Sequence, residues 1–162
     1  MDSLNEYVLE YKNQLEKGDI KKAYIGLMEY IMSLRSHFKS KYPDYFVSGS
    51  VYSGYMDMSY FSFTPDFLKK RKLKIAIVFV HETIRFEVWL AGNNKQVQKK
   101  YWHLFRNGDF DKYEINSTLN GVDSIIEHIL AENPNFDELT SLTDLIEDEA
   151  LQFIKDLQNF LV

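Results

Sequence analysis

The segment from residue 73 to residue 91 limits most strongly what this chain can fold into. It contains two apolar runs, residues 73–81 and 84–91, which are rich in β-branched and aromatic residues and are joined through Glu82-Thr83. Runs of this kind predict β-strands, and so short a connection predicts an antiparallel hairpin. Glu-Thr is not the Asn-Gly type of a tight turn, so the register that places Val80 opposite Arg85 is an assumption.

Helical spacing precedes the hairpin. Ser3 with Glu6 three residues later forms a capping-box pattern, and the apolar residues that follow recur at helical spacing as far as Gly18. Asp19 is expected to cap a second helix, which Pro43 closes. The first 42 residues are therefore predicted to form a helical hairpin with one apolar face.

Further elements are predicted on both sides of the β-hairpin. Strand propensity is high in the tyrosine-rich residues 45–63, and Thr64-Pro65 is expected to cap a short helix. Three helices are expected after the hairpin: one that ends near Gly108, one over residues 122–131, and one over residues 139–160. Thr140, Ser141 and Thr143 could divide the last of them. The chain is predicted to be a single α+β domain over residues 1–162, with three helices after a mostly antiparallel sheet.

The assumed register sorts the β-hairpin into two unlike faces. One face is apolar and is predicted to be core: Leu73, Ile75, Ile77, Phe79, Phe86, Val88 and Leu90. The other pairs Val80 with Arg85, Val78 with Glu87, and Ala76 with Trp89. A third strand through Tyr55, Asp57 and Ser59 would bring Asp57 close to Arg85 and Glu87. The candidate ligand-binding residues are therefore Tyr55, Asp57, Arg85, Glu87 and Trp89.

Two interpretations of this mixed face remain open. Aromatic walls with a few polar groups are the ingredients of a small-ligand pocket. Equally, Arg85 and Glu87 on one strand face would need only each other and Asp57 to be a satisfied ion pair, which is the more common situation for polar groups on an inner sheet face.

An enzymatic interpretation is weaker. Asp57 and Glu87 resemble the spaced acidic pair of metal-dependent nucleases or hydrolases, with Arg85 nearby, but the lysine expected two residues after the second acid is Trp89. The sequence contains no nucleophile-elbow serine, phosphate-binding glycine loop or dinucleotide motif, and it contains no cysteine. No catalytic residue, metal site or cofactor is predicted.

Charge is distributed unevenly along the chain. Residues 69–106 hold 10 basic and 2 acidic residues, whereas residues 107–162 hold 2 basic and 13 acidic residues. Basic residues interleaved with aromatic ones would suit a nucleic acid; the candidates are Lys69, Lys70, Arg71, Lys72, Lys95, Lys99, Lys100 and Trp102. The favoured alternative is that the acidic C-terminal helices lie against this block and neutralise it.

The composition excludes several protein classes. With 45% hydrophobic and 27% charged residues, the chain is neither disordered nor membrane-spanning in character, and its net charge of -5 does not favour binding to phosphate or anionic lipid. The first ten residues carry three acids and no base, so they lack the features of a secretory signal. A cytoplasmic protein without a membrane partner is expected.

Three stretches resemble a known family: GYMDMSYFSF (54–63), LKIAIVF (73–79) and IRFEVWLAG (84–92). The family is an uncharacterised bacterial one, filed as a domain of unknown function, and the resemblance extends over nearly the whole chain. It implies a bacterial, cytoplasmic protein and brings no activity or site residues. From the residues themselves, we expect a non-enzymatic module that binds a small molecule or a protein. The hydrolase or nuclease is the alternative, and nucleic-acid binding through residues 69–106 is the third.

Overall fold

The computed structural model describes residues 3–162, which form five helices and five strands. The helices are α1 (Leu4–Lys17), α2 (Asp19–Lys41), α3 (Asp66–Lys69), α4 (Lys95–Asn107) and α5 (Leu139–Leu161). The strands are β1 (Phe46–Val47), β2 (Met58–Thr64), β3 (Leu73–Val80), β4 (Arg85–Gly92) and β5 (Ser124–Glu132). The predicted α+β class is confirmed. Residues 1 and 2, which begin the acidic segment compared above with a secretory signal, lie outside the described part.

The strands form one antiparallel sheet in the order β1-β2-β3-β4-β5. The register assumed for the central hairpin is confirmed, because Val80 lies opposite Arg85 and Ala76 lies opposite Trp89. The connecting loop covers residues 81–84, and its last residue, Ile84, has a φ of 50°. The two faces of the hairpin are therefore those deduced from the sequence.

One face of the sheet packs against helices to form the hydrophobic core. All seven residues predicted to face the core are at most 1% exposed. The ring of Tyr30 on α2 packs edge-on against Phe86 at 5.8 Å, and Phe153 on α5 stacks on His128 of β5 at 6.0 Å. Val78, on the other face, is fully buried but is not part of this core cluster. Helix α5 thus packs on the apolar face, not on the mixed one.

The N-terminal helical hairpin forms as predicted, with one correction. The Ser3 hydroxyl accepts a hydrogen bond from the Glu6 amide, and the Glu6 carboxylate accepts one from the Ser3 amide, which confirms the capping box. Gly18 ends α1 at a φ of 87°, a conformation that glycine adopts without strain. The prediction that Asp19 caps α2 is wrong, because Gly18 occupies the cap position and Asp19 is the first helical residue. Helix α2 ends before Pro43, as predicted.

The prediction of a helix over residues 122–131 is wrong, because these residues contribute strand β5. The strand register against β4 shifts between Phe86 and Glu87 and again between Leu90 and Ala91. Such bulges break the alternation of a strand, so neighbouring residues such as Ile125 and Ile126 are both fully buried. A strand with two irregularities can therefore mimic helical spacing. Two helices, not three, follow the central hairpin.

The remaining helices agree with the sequence except at their ends. Thr64, the predicted cap of α3, belongs to β2, and Pro65 takes the cap position. Helix α4 ends next to Gly108, as predicted. Helix α5 is continuous, and Thr143 within it shares a 2.9 Å hydrogen bond with the Tyr30 hydroxyl. Within residues 3–162, no helix combines the length and apolar character needed to cross a lipid bilayer.

Candidate functional site

Two adjacent rows of side chains form the centre of the mixed face of the sheet. Strand pairing places Tyr60, Val78 and Glu87 in one row across β2, β3 and β4. The next row contains Ser62, Ala76 and Trp89. Because neighbouring strands are about 4.8 Å apart, each row brings residues from distant parts of the chain into a single surface.

Arg85, Glu87 and Trp89 lie together on this face, as expected for residues two apart on one strand. The Arg85 guanidinium donates a 2.6 Å hydrogen bond to one oxygen of the Glu87 carboxylate, and the Trp89 indole donates a 2.8 Å bond to the other. Glu87 is only 3% exposed. Both of its oxygens already have partners, so the arrangement is that of a closed, structural ion pair.

Asp57 and Tyr55 are placed elsewhere. The expected third strand through them is wrong: β2 begins only at Met58 and pairs with β3, so β3 separates this region from Arg85 on β4. The Asp57 carboxylate accepts a 2.9 Å hydrogen bond from the Tyr55 amide, and backbone hydrogen bonds of this kind lower its pKa. The Tyr55 side chain is 90% exposed. Among residues 3–162, no hydrogen bond or ion pair connects Asp57 to Arg85 or Glu87.

A pocket of about 490 Å³ opens on the β1–β2 side of the same face. One wall is aromatic, with the rings of Tyr52 and Tyr60 4.9 Å apart. The polar lining consists of hydroxyl, amide and ammonium groups: Ser48, Ser50, Ser53, Ser62, Thr64, Asn93, Lys69 and Lys74. We call this site the tyrosine–lysine pocket. The crowded tyrosines and the basic run are each evident in the sequence, but no local pattern predicts that they meet in one site.

The pocket owes its shape to an irregular strand beside β2. Tyr52 and Tyr60 exchange two backbone hydrogen bonds, and the Ser48 amide donates to the Ser62 carbonyl at 3.2 Å. The Ser48 hydroxyl in turn accepts from the Ser62 amide at 3.0 Å. Across the sheet, Ser62 and Lys74 lie opposite Ala76 and Ala91, respectively. Of these four residues, Ser62 and Lys74 line the pocket.

The electrostatics of the pocket are one-sided. Its lining contains Lys69 and Lys74 but no aspartate, glutamate or histidine. The Lys69 ammonium lies 4.9 Å from the centre of the Phe46 ring, a cation–π contact that leaves its charge unneutralised. Lys74 is half-buried, and within the described chain no hydrogen bond or ion pair occupies its ammonium group. Burial, aided by Tyr52 and Asp123, raises the pKa of Tyr60, which keeps its hydroxyl protonated.

The basic run before β3 is partly used by the fold. The run comprises Lys69, Lys70, Arg71 and Lys72. Arg71 donates to the carbonyls of Phe67 and Leu161, at 2.7 and 3.3 Å. Lys70 forms an exposed ion pair with Asp66 at 2.9 Å. Arg71 therefore links α3 to the end of α5 through these two hydrogen bonds.

On helix α4, the tryptophan ring that lies among the basic residues is not free for base stacking. The helix carries Lys95, Lys99, Lys100 and Trp102. The Trp102 indole donates a 2.7 Å hydrogen bond to the Asn116 carbonyl, and the Arg106 guanidinium lies 4.7 Å from the ring centre. Lys95 pairs with Asp123 at 3.3 Å. The sequence favours the alternative that the acidic C-terminal helices neutralise the basic residues 69–106. Direct pairing of this kind is not observed, because no ion pair within residues 3–162 joins α5 to residues 69–106.

A second buried carboxylate lies between helices α2 and α5. Glu147 is 4% exposed and accepts hydrogen bonds from His37 and Lys41, both at 2.6 Å, and from the Tyr42 hydroxyl. Burial alone would raise the pKa of Glu147, but the hydrogen bonds from Lys41, Tyr42 and His37 outweigh it and lower the pKa to about 2. The cluster joins two helices and forms no metal site: no group of three histidine, aspartate or glutamate side chains within residues 3–162 is placed to hold a metal ion.

Comparison with known proteins identifies the family and no activity. A family model described as "Domain of unknown function (DUF7000)" matches residues 4–161. The chain belongs to this DUF7000 family. No curated protein and no solved structure matches the chain. The resemblance stated from three short stretches is thereby confirmed at the level of the family, and any function of this DUF7000 member has to be inferred from its own geometry.

Proposed function

We propose that this protein is a small-ligand-binding module and that the tyrosine–lysine pocket binds a small anion carrying a ring or a hydroxylated group. The observation that carries the proposal is the lining: two lysines and no carboxylate, in a chain whose net charge is -5. Local charge, not total charge, determines what a pocket attracts. An unpaired, half-buried ammonium group such as that of Lys74 gains a charge-assisted hydrogen bond when an anion binds.

The size and walls of the pocket support this proposal. A volume of about 490 Å³ lies within the range typical of small-molecule sites, roughly 300–1,000 Å³. The Tyr52–Tyr60 wall offers a flat surface for a ring or sugar. The serine and threonine hydroxyls beside it both donate and accept hydrogen bonds, which suits phosphate oxygens and sugar hydroxyls alike.

Binding is better supported than catalysis. The residues lining the pocket include no histidine or carboxylate that would act as a general base. The carboxylate of the alternative hydrolase or nuclease site, Glu87, is occupied at both oxygens by Arg85 and Trp89. Asp57, the other acid of that alternative, lies in a loop before β2.

The proposal is tested by calorimetric titration with three probes: inorganic phosphate, phenyl phosphate and phenyl glucoside. We expect phenyl phosphate to bind most tightly, because it alone combines the anion with a ring. Replacing Lys74→Met should weaken phenyl phosphate binding by about tenfold or more, since a charged hydrogen bond is lost.

The matched control is Lys99→Met, which removes an exposed lysine from α4 outside the pocket. It should leave the affinity unchanged, and thermal unfolding should show that both variants are folded. Equal binding of phenyl phosphate by the Lys74→Met variant, or no detectable binding of any probe, would contradict the proposal.

A further inference from the structure

The N-terminal helical hairpin exposes an apolar surface that the pocket does not explain. Helix α1 buries none of its residues. Leu4, Val8 and Tyr11 follow one another on a single stripe of the helix and are 76%, 53% and 58% exposed. A helix of this length is marginal in water on its own, and its contact with α2 leaves this apolar stripe uncovered.

The apolar surface continues from α1 onto α2 and the loop before β2. A groove between these elements is lined by Tyr11, Leu15, Ile20, Tyr24, Ile25, Tyr55 and Met56, with Lys21 and Gly54 as the other lining residues. We call the groove together with Leu4 and Val8 the hairpin face. Tyr55, the candidate residue that the structure separates from Arg85, belongs to this surface.

The area of the hairpin face corresponds to that of a protein interface. Seven of its large apolar side chains are between 46% and 90% exposed: Leu4, Val8, Tyr11, Ile20, Ile25, Tyr55 and Met56. At about 100 Å² each, they offer on the order of 700 Å² from one chain, close to the ~800 Å² per partner of a standard interface. The largest apolar patch of a typical monomer is about 300–600 Å².

The spacing of the apolar side chains on α1 identifies the occupant. Leu4, Val8, Tyr11 and Leu15 are four, three and four residues apart, so the stripe has the same spacing in both directions. Two copies of α1 packed antiparallel would place Leu4 opposite Leu15 and Val8 opposite Tyr11, so the apolar stripe meets itself.

We propose that the hairpin face is the contact between two copies of this chain, with the α1 helices antiparallel about a two-fold axis. Such an interface is self-complementary, and two-fold dimers are the commonest symmetric assemblies of soluble proteins. The two α1–α2 hairpins together make a four-helix arrangement, in which the exposed stripe of α1 becomes the inner face.

Sedimentation velocity over a range of protein concentrations tests the association. The wild-type chain should sediment as a dimer that dissociates on dilution. Replacing both Val8→Glu and Tyr11→Glu should give a monomer at every concentration, because four carboxylates would meet at the axis. The control is Leu104→Glu, an equally apolar side chain on α4 that is 46% exposed, which should remain dimeric.

Engineered cysteines test the orientation without disturbing the fold. The chain has no native cysteine, so oxidation reports only on the introduced pair. A mixture of Val8→Cys and Tyr11→Cys chains should form mainly the mixed disulfide, whereas a parallel arrangement would cross-link each variant with itself. A wild-type monomer up to about 500 µM, dissociation by Leu104→Glu, or self-linking of Val8→Cys would overturn the proposal.

Discussion

Two buried carboxylates, Glu87 and Glu147, lie in different parts of the molecule. Each is almost fully buried, at 3% and 4% exposed, and both oxygens of each accept side-chain hydrogen bonds. Glu87 belongs to the mixed face of the sheet, whereas Glu147 lies where α5 meets the end of α2. Their environments are similar, but their partners come from very different distances along the chain.

The partners of Glu87 are its neighbours on strand β4. Arg85 and Trp89 lie two residues before and after it, so all three point to the same face as soon as the strand forms. The partners of Glu147 lie more than 100 residues away, at the end of α2: His37, Lys41 and Tyr42. The comparison teaches that a buried ion cluster stabilises tertiary structure only to the extent that its members come from different elements.

The largest effect is expected from Glu147→Gln. Removing this charge leaves the Lys41 ammonium and the Tyr42 hydroxyl without their anionic partner between two helices. We expect the free energy of unfolding in urea to fall by about 2–3 kcal/mol, somewhat less than for a completely buried pair because Lys41 is half-exposed.

Glu149→Gln is the matched control for that variant. It removes one carboxylate from an exposed position on the same helix and should change stability by less than about 0.5 kcal/mol. Similar losses for the two variants would mean that the Glu147 cluster has no special role in joining α2 and α5.

Acid should remove the contribution of Glu147 selectively. Its pKa in the folded protein, about 2, is below the ordinary value of 4.5. As pH falls, the unfolded chain therefore binds the proton first, and the stability supplied by Glu147 is complete above the unfolded pKa and declines towards pH 2. The difference in free energy of unfolding between wild type and Glu147→Gln should shrink over this range. A difference independent of pH would contradict this origin.

A smaller effect is expected from Glu87→Gln. Arg85 is 31% exposed on its side chain and can be hydrated when its partner is neutral, so the expected loss is about 1–2 kcal/mol. Urea unfolding of Glu87→Gln, Arg85→Gln and the double variant gives the coupling energy of the pair. A loss as large as that of Glu147→Gln would contradict the expectation that a cluster within one strand contributes less to stability than a cluster that joins two helices.

The smallest effect is expected from Trp89→Phe. The substitution keeps an aromatic ring on the mixed face but replaces the indole by a smaller phenyl ring and removes the N–H donated to Glu87, so the loss should be about 0.5–1 kcal/mol. Phenyl phosphate affinity should be unchanged, because Trp89 does not line the tyrosine–lysine pocket. Weakened binding in this variant would extend the site to the indole.

Prediction from the sequence succeeded where the signal is local. The alternation in β3 and β4 identified their core face, and the assumed pairing of Val80 with Arg85 is confirmed by the structure. The Ser3–Glu6 pattern correctly predicted the start of α1. Strand β5 was predicted as a helix because two register shifts against β4 removed its alternation. That pairing depends on a neighbouring strand and is not encoded in the spacing of β5 alone.

The candidate site shows the same division. Arg85, Glu87 and Trp89 were placed together correctly, since residues two apart on a strand share a face. The tyrosine–lysine pocket was not predicted, because Tyr52, Lys69 and Lys74 meet only when the segment before β2, the end of α3 and the start of β3 come together.

The sequence by itself determined the helical hairpin, the central β-hairpin with its two faces, and the cluster around Glu87, because each depends on residues close together in the chain. Only the tertiary structure decided which face α5 covers, where β5 pairs, and that Glu147 meets Lys41 and Tyr42. These outcomes depend on contacts between distant segments, whose partners are selected by shape and burial across the whole fold.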